Sequence, residues 1–130
     1  MENYKDLALA ALGRYSVRHF FMSFRYRQGI SLSSRAKLTK EVIHSLRDQL
    51  KQQNAEYMFD GFLMDLALSP ATSKEEKTGL IQLMHIEDEI ACGLKALERR
   101  GEFELADIHE LVNEKNLSKR ARSLYQLPLQ

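Results

Sequence analysis

Apolar residues recur at spacings of three and four along most of the chain rather than alternating, a pattern that predicts helices almost throughout. A first helix is expected over residues 3–27, closing at Gln28-Gly29, where glycine can take the left-handed conformation that ends helices. Ile30 to Ser34 reads as a loop, with Ser33 or Ser34 placed to cap the next helix. There Leu38, Val42, Leu46 and Leu50 repeat every four residues beside Ile43, giving an apolar stripe with a polar back. Asn54 marks a break. The following segment, YMFDGFLMDLAL at residues 57–68, is apolar round most of its circumference and is the expected centre of the core.

Ser69-Pro70 stops that helix, because proline disfavours a helical conformation in the residue before it. Ser73 and Glu76 have the spacing of a capping box, and Leu83, Ile86, Ile90, Leu94 and Leu97 then share one face as far as Gly101, with a bend expected near Gly93. A fifth helix carries Leu105, Ile108, Leu111 and Val112 inward. A last one, over residues 118–126, uses Leu117, Ala121, Leu124 and Tyr125 before Pro128. No segment joins period-two alternation to β-branched residues and a tight turn, so strands lack support. The expected fold is all-α, a single domain over residues 1–130 built as a bundle or orthogonal array of five to six helices.

Composition supports a folded chain. With 44% hydrophobic and 28% charged residues it is too apolar for disorder, and 130 residues suit one core. Cys92 is the only cysteine, which excludes an intramolecular disulfide and any multi-cysteine metal site and suits a cytoplasmic protein. The opening MENYKDLALAALG has acidic residues where a signal peptide needs basic ones, and no apolar run reaches the length of a membrane span.

Charge changes the picture more than composition does. Residues 1–53 hold 10 Lys/Arg against 4 Asp/Glu, residues 54–114 hold 5 against 14, and residues 115–130 hold 4 against none. An acidic middle between basic ends implies either internal pairing or two faces of opposite sign.

Four histidines raise the question of a metal: His19, His44, His85 and His109. Glu41 and His44 have the Glu-x-x-His spacing of carboxylate-bridged centres, but such a centre needs a second copy. The residues three before His19, His85 and His109 are Ser16, Gln82 and Ala106. His85 and Glu89 lie one turn apart and supply two ligands where a closed site needs four. No metal or other cofactor is therefore expected. Nucleophile, phosphate-loop and dinucleotide motifs are missing too, and Cys92 sits among acidic residues, the reverse of the electropositive setting of a reactive thiolate. The chain reads as a non-enzyme.

Binding is then the expected activity. Asp60 and Asp65 on the third helix, with Glu87, Asp88 and Glu89, are the candidate residues for capturing another protein with a basic surface. Small inhibitors and immunity proteins that neutralise cationic nuclease toxins work this way as a class, although no motif ties this chain to such a family. The alternative is a nucleic-acid-binding regulator. There the tail KNLSKRARSLYQ after ELADIHELVNE would form a helix-turn-helix-like pair contacting DNA through Lys119, Arg120, Arg122 and Gln126. Against it stand a turn without glycine and an acidic preceding helix that repels phosphate. In RYSVRHFFMSFRYRQG, residues 14–29, Val17, Phe20, Phe21 and Phe24 share one helix face and Arg14, Arg18 and Arg25 another. The phenylalanines are expected in the core, and the arginine stripe faces either the acidic middle or a partner.

Overall fold

Asn3 starts the first helix by accepting the backbone N–H groups of Lys5 and Asp6, and most of the described residues after it are helical. The computed structural model describes residues 3–24, 32, 33 and 35–129. Among them run α1 (Tyr4–Leu12), α2 (Val17–Phe24), α3 (Lys40–Gln52), α4 (Glu56–Ala67), α5 (Lys74–Leu83), α6 (Glu87–Arg99), α7 (Leu105–Glu114) and α8 (Lys119–Leu124). The all-α class holds. The count of five to six does not, because two of the expected helices are broken by contacts from elsewhere in the chain.

The first break separates α1 from α2. Residues 15–17 leave the helix to pair with residues 36–38: the Val17 N–H donates to Ala36, and the Leu38 N–H donates to Tyr15. The second separates α5 from α6 at Met84, whose backbone is extended, and not at Gly93, which lies within α6. Further corrections concern caps. The cap of α3 is Thr39, which accepts the Val42 N–H, whereas Ser33 accepts from Arg35 in the loop before it. Gln28, Gly29 and Ser34 fall outside the described residues. Asn54 does stop α3, in a left-handed conformation with φ 55°, and Ser73 with Glu76 forms the full reciprocal capping box.

At the centre lies α4, which packs against α2, α3, α5 and α6 and buries Met58, Phe59, Phe62, Leu63 and Ala67. Phe20 enters from α2 with its ring centroid 5.4 Å from those of Phe59 and Phe62. Phe21 and Phe24 flank it, partly buried. Ile108, Leu111 and Val112 of α7 point inward as expected, and Leu117 and Ala121 do the same near α8. Leu105 and Leu124 do not: each stands at the end of its helix, and they are 57% and 56% exposed.

Helix C-termini leave carbonyls without intrahelical donors, and cationic side chains complete two of them here. Lys77, itself buried, donates to Ala67 O at 2.6 Å and Ser69 O at 2.8 Å, and Arg100 donates to Leu68 O at 2.8 Å, closing α4. Lys115 donates to Gln82 O at 2.8 Å and Arg47 to Leu83 O at 2.7 Å, closing α5. Among the described residues no helix is long and apolar enough to cross a membrane.

Candidate functional site

The α5–α6 break is made by one carboxylate. Asp60 projects from α4, is 0% exposed, and accepts the His85 and Ile86 N–H groups on a single oxygen at 2.9 and 2.7 Å. Ile86 is the N-cap residue of α6 and His85 precedes it, so Asp60 holds the turn that leads into this helix. Burial pushes its carboxyl up from the ordinary range. The two N–H donors and the Arg47 cation pull the other way.

Arg47 of α3 is 5% exposed and faces Asp60 at 3.8 Å and Glu56 at 3.8 Å, with its guanidinium 4.9 Å from the centroid of the Phe59 ring. It also lies 3.0 Å from His85 Nε2, while His85 Nδ1 lies 2.9 Å from Glu56 Oε1. A guanidinium can only donate. His85 Nε2 is therefore the acceptor, and the ring proton sits on Nδ1, donating to Glu56. In this arrangement Arg47 engages the Nε2 lone pair of His85.

Of the expected partner-binding residues, Asp60 must be corrected, because a fully buried side chain offers a partner nothing to touch. Glu87 and Asp88 are half-buried against the C-terminal segment: Glu87 accepts the Ser118 N–H at 3.0 Å, and Asp88 lies 3.6 Å from Arg120. Glu89 is also half-buried, its carboxyl pushed up by burial and by the charges of Asp60 and Asp88. Asp65 is exposed, on a different helix, and burial of its carboxyl still pushes it up.

The DNA-contact candidates fare differently. Lys119, Arg120 and Gln126 are exposed, whereas Arg122 is half-buried. They stand on or after a six-residue helix that packs on α6, and the exposed Arg120 lies 3.6 Å from Asp88 of that helix. Arg14 pairs with Glu76 at 3.2 Å, Arg18 is exposed, and Arg25 lies outside the described residues.

A second feature was not expected. Between α5 and α7, with Tyr4 at one side, lies an open cleft of about 240 Å³ whose lining includes Glu75, Asp107, Glu110, Glu114 and Lys74. The lysine is already paired with Asp107 at 2.9 Å, and this pairing raises the lysine and lowers the carboxyl. Glu114 accepts from Gln82 at 3.0 Å. Glu75 and Glu110 are exposed and have no ion-pair partner among the described residues. Four carboxylates against one committed lysine leave the cleft net negative by three. The half-buried Thr78 and the buried Leu111 also line the cleft.

Set against protein-family models, curated proteins and solved structures, the chain matches none of them. Among the described residues no group of three His, Cys, Asp or Glu side chains is arranged to hold a metal ion. Glu41 and His44 are both exposed on α3.

Proposed function

We propose that this chain is a protein-binding domain that takes a lysine- or arginine-rich segment of its partner into the acidic cleft between α5 and α7. The observation that carries the reading is the surplus of carboxylates in a concave site whose lysine is already neutralised by Asp107. Complementary charge of this kind accelerates encounter and selects against acidic partners. The acidic run at Glu87 and Asp88 is the weaker candidate surface, since both residues already hold the C-terminal segment. Neutralising a cationic toxin is one role such a cleft suits.

Glu75 and Glu110 are the residues to change, because both are exposed and reversal leaves the core untouched. The double variant Glu75→Lys, Glu110→Lys is expected to lose affinity for an arginine-rich peptide on the order of tenfold at low salt, from exposed pairs each contributing about 0.2–1 kcal/mol and turned from attraction to repulsion. Isothermal titration calorimetry measures it. Equal affinity of the variant and the unaltered chain rejects the cleft as the site.

A further inference from the structure

We propose that His85 is the clasp of an acid-sensitive latch at the α5–α6 junction, closed while its ring is neutral and released when Nε2 takes a proton. The latch draws on three separate stretches of chain. Arg47 reaches from α3 to His85 Nε2 and to Leu83 O, the end of α5. Glu56 and Asp60 reach from α4, one to His85 Nδ1 and the other to the His85 and Ile86 N–H groups in the turn before α6. His85 therefore touches both a cation and an anion through its ring and is anchored by its own backbone.

Closure demands one protonation state. A second ring proton would have to sit on Nε2, 3.0 Å from a guanidinium nitrogen, where donor meets donor and cation meets cation. The ring has somewhere to go, because the His85 side chain is 51% exposed, and Glu56 can accompany it as the counter-ion of an imidazolium. Arg47 keeps its bond to Leu83 O at 2.7 Å and its pairs with Glu56 and Asp60 at 3.8 Å, while neither its Nε nor Asp60 Oδ1 has a hydrogen-bond partner among the described residues. The junction then loses the ring that bridges Arg47 and Glu56 at hydrogen-bond distance, and the turn into α6 is left to the Asp60 carboxylate. The other charges near the cluster are Asp48, which acts on Arg47, Glu89, which feels Asp60, and Lys115, which feels both Asp60 and Arg47.

Electrostatics point the same way. Burial, and then the Arg47 charge, lower the His85 pKa from its ordinary value, with Glu56 and Asp60 opposing. A histidine whose folded pKa lies below its unfolded value contributes fully above about 6.5. That contribution falls as pH drops from there to the folded midpoint and then levels off. Asp60, raised by burial, acts in the opposite sense, so overall stability mixes the two and a site-specific readout is required.

Long-range proton–nitrogen NMR of the intact chain supplies it. Near pH 7.5 His85 is expected as the Nδ1–H tautomer, with a titration midpoint below about 6.5. The exchange protection of the His85 and Ile86 amides should fall in step with the ring. His85→Gln keeps an acceptor facing Arg47 and removes the titration, so the protection of Ile86 should no longer follow pH through that range. An Nε2–H tautomer, a midpoint at or above 6.5, or amide protection that ignores the ring overturns the latch. The titration of the unaltered chain decides this even if the variant does not fold.

Discussion

Replacing Gly79 with alanine should unseat α1 and, through Tyr4, distort the proposed binding cleft. Gly79 lies inside α5 where α1 crosses it. A Cβ there would overlap the Tyr4 carbonyl oxygen, and would lie 2.6 Å from the carbonyl carbon and 2.8 Å from Ala8 Cβ. Carbon atoms settle at about 3.5–4.0 Å, so the shortfall is roughly 1 Å against backbone, which no rotamer change relieves. Overpacking of this kind costs about 1–3 kcal/mol, and a clash with backbone belongs at or beyond the upper end. Alanine gains about 1 kcal/mol over glycine in helix propensity. The net expectation is a loss of about 2 kcal/mol or more.

Gly93 provides the matched control. Its added Cβ would meet Ile81 Cδ1 at 3.4 Å and Met64 at 3.6 Å, ordinary contacts, so Gly93→Ala should stabilise by about 0.5–1 kcal/mol through propensity alone. Urea unfolding followed by far-ultraviolet circular dichroism compares the two with one assay. A Gly79→Ala protein within about 0.5 kcal/mol of the unaltered chain, or a Gly93→Ala protein less stable than it, refutes the packing argument.

Asp60→Ala strips the His85 and Ile86 N–H groups before α6 of their acceptor and leaves Arg47 without its most buried counter-charge, an uncompensated burial expected to cost about 3–5 kcal/mol. Asp60→Asn keeps an acceptor oxygen and should lose less; equal losses in equilibrium unfolding would show that the two N–H bonds contribute nothing. Lys77→Met retains the buried stem but leaves the Ala67 and Ser69 carbonyls without their donor. It should cost about 1–3 kcal/mol, and a neutral effect in the same assay removes Lys77 from the closure of α4.

Where neighbours in sequence determine the structure, the sequence shows it. Ser73 and Glu76 announce their capping box within four residues, Asn54 marks the end of α3, and Val17 and Phe20 reveal the inward face of α2. The α5–α6 break has no such mark: Met84-His85-Ile86 contains neither proline nor glycine, and the carboxylate that makes the break lies 25 residues before His85. A signal for the buried cluster does exist. Ile43, Leu46, Arg47 and Leu50 occupy one inward face of α3, and Asp60 sits among Met58, Phe59, Phe62 and Leu63. Opposite charges at core-facing positions of successive helices imply each other, because neither can be buried alone. The cleft was half visible: Asp107, Glu110 and Glu114 align along α7, but only the folded chain brings Glu75 and Tyr4 to them.

The most direct measurement maps where a cationic segment binds. Backbone amide spectra of the labelled chain, titrated with an arginine-rich peptide, should shift most at Tyr4, Thr78, Gln82, Leu111 and Glu114, the lining of the cleft. The shifts should collapse at about 1 M salt, where the screening length is about 3 Å. Shifts centred on Glu87 to Glu89, or spread evenly over the acidic surface, would contradict recognition in the cleft.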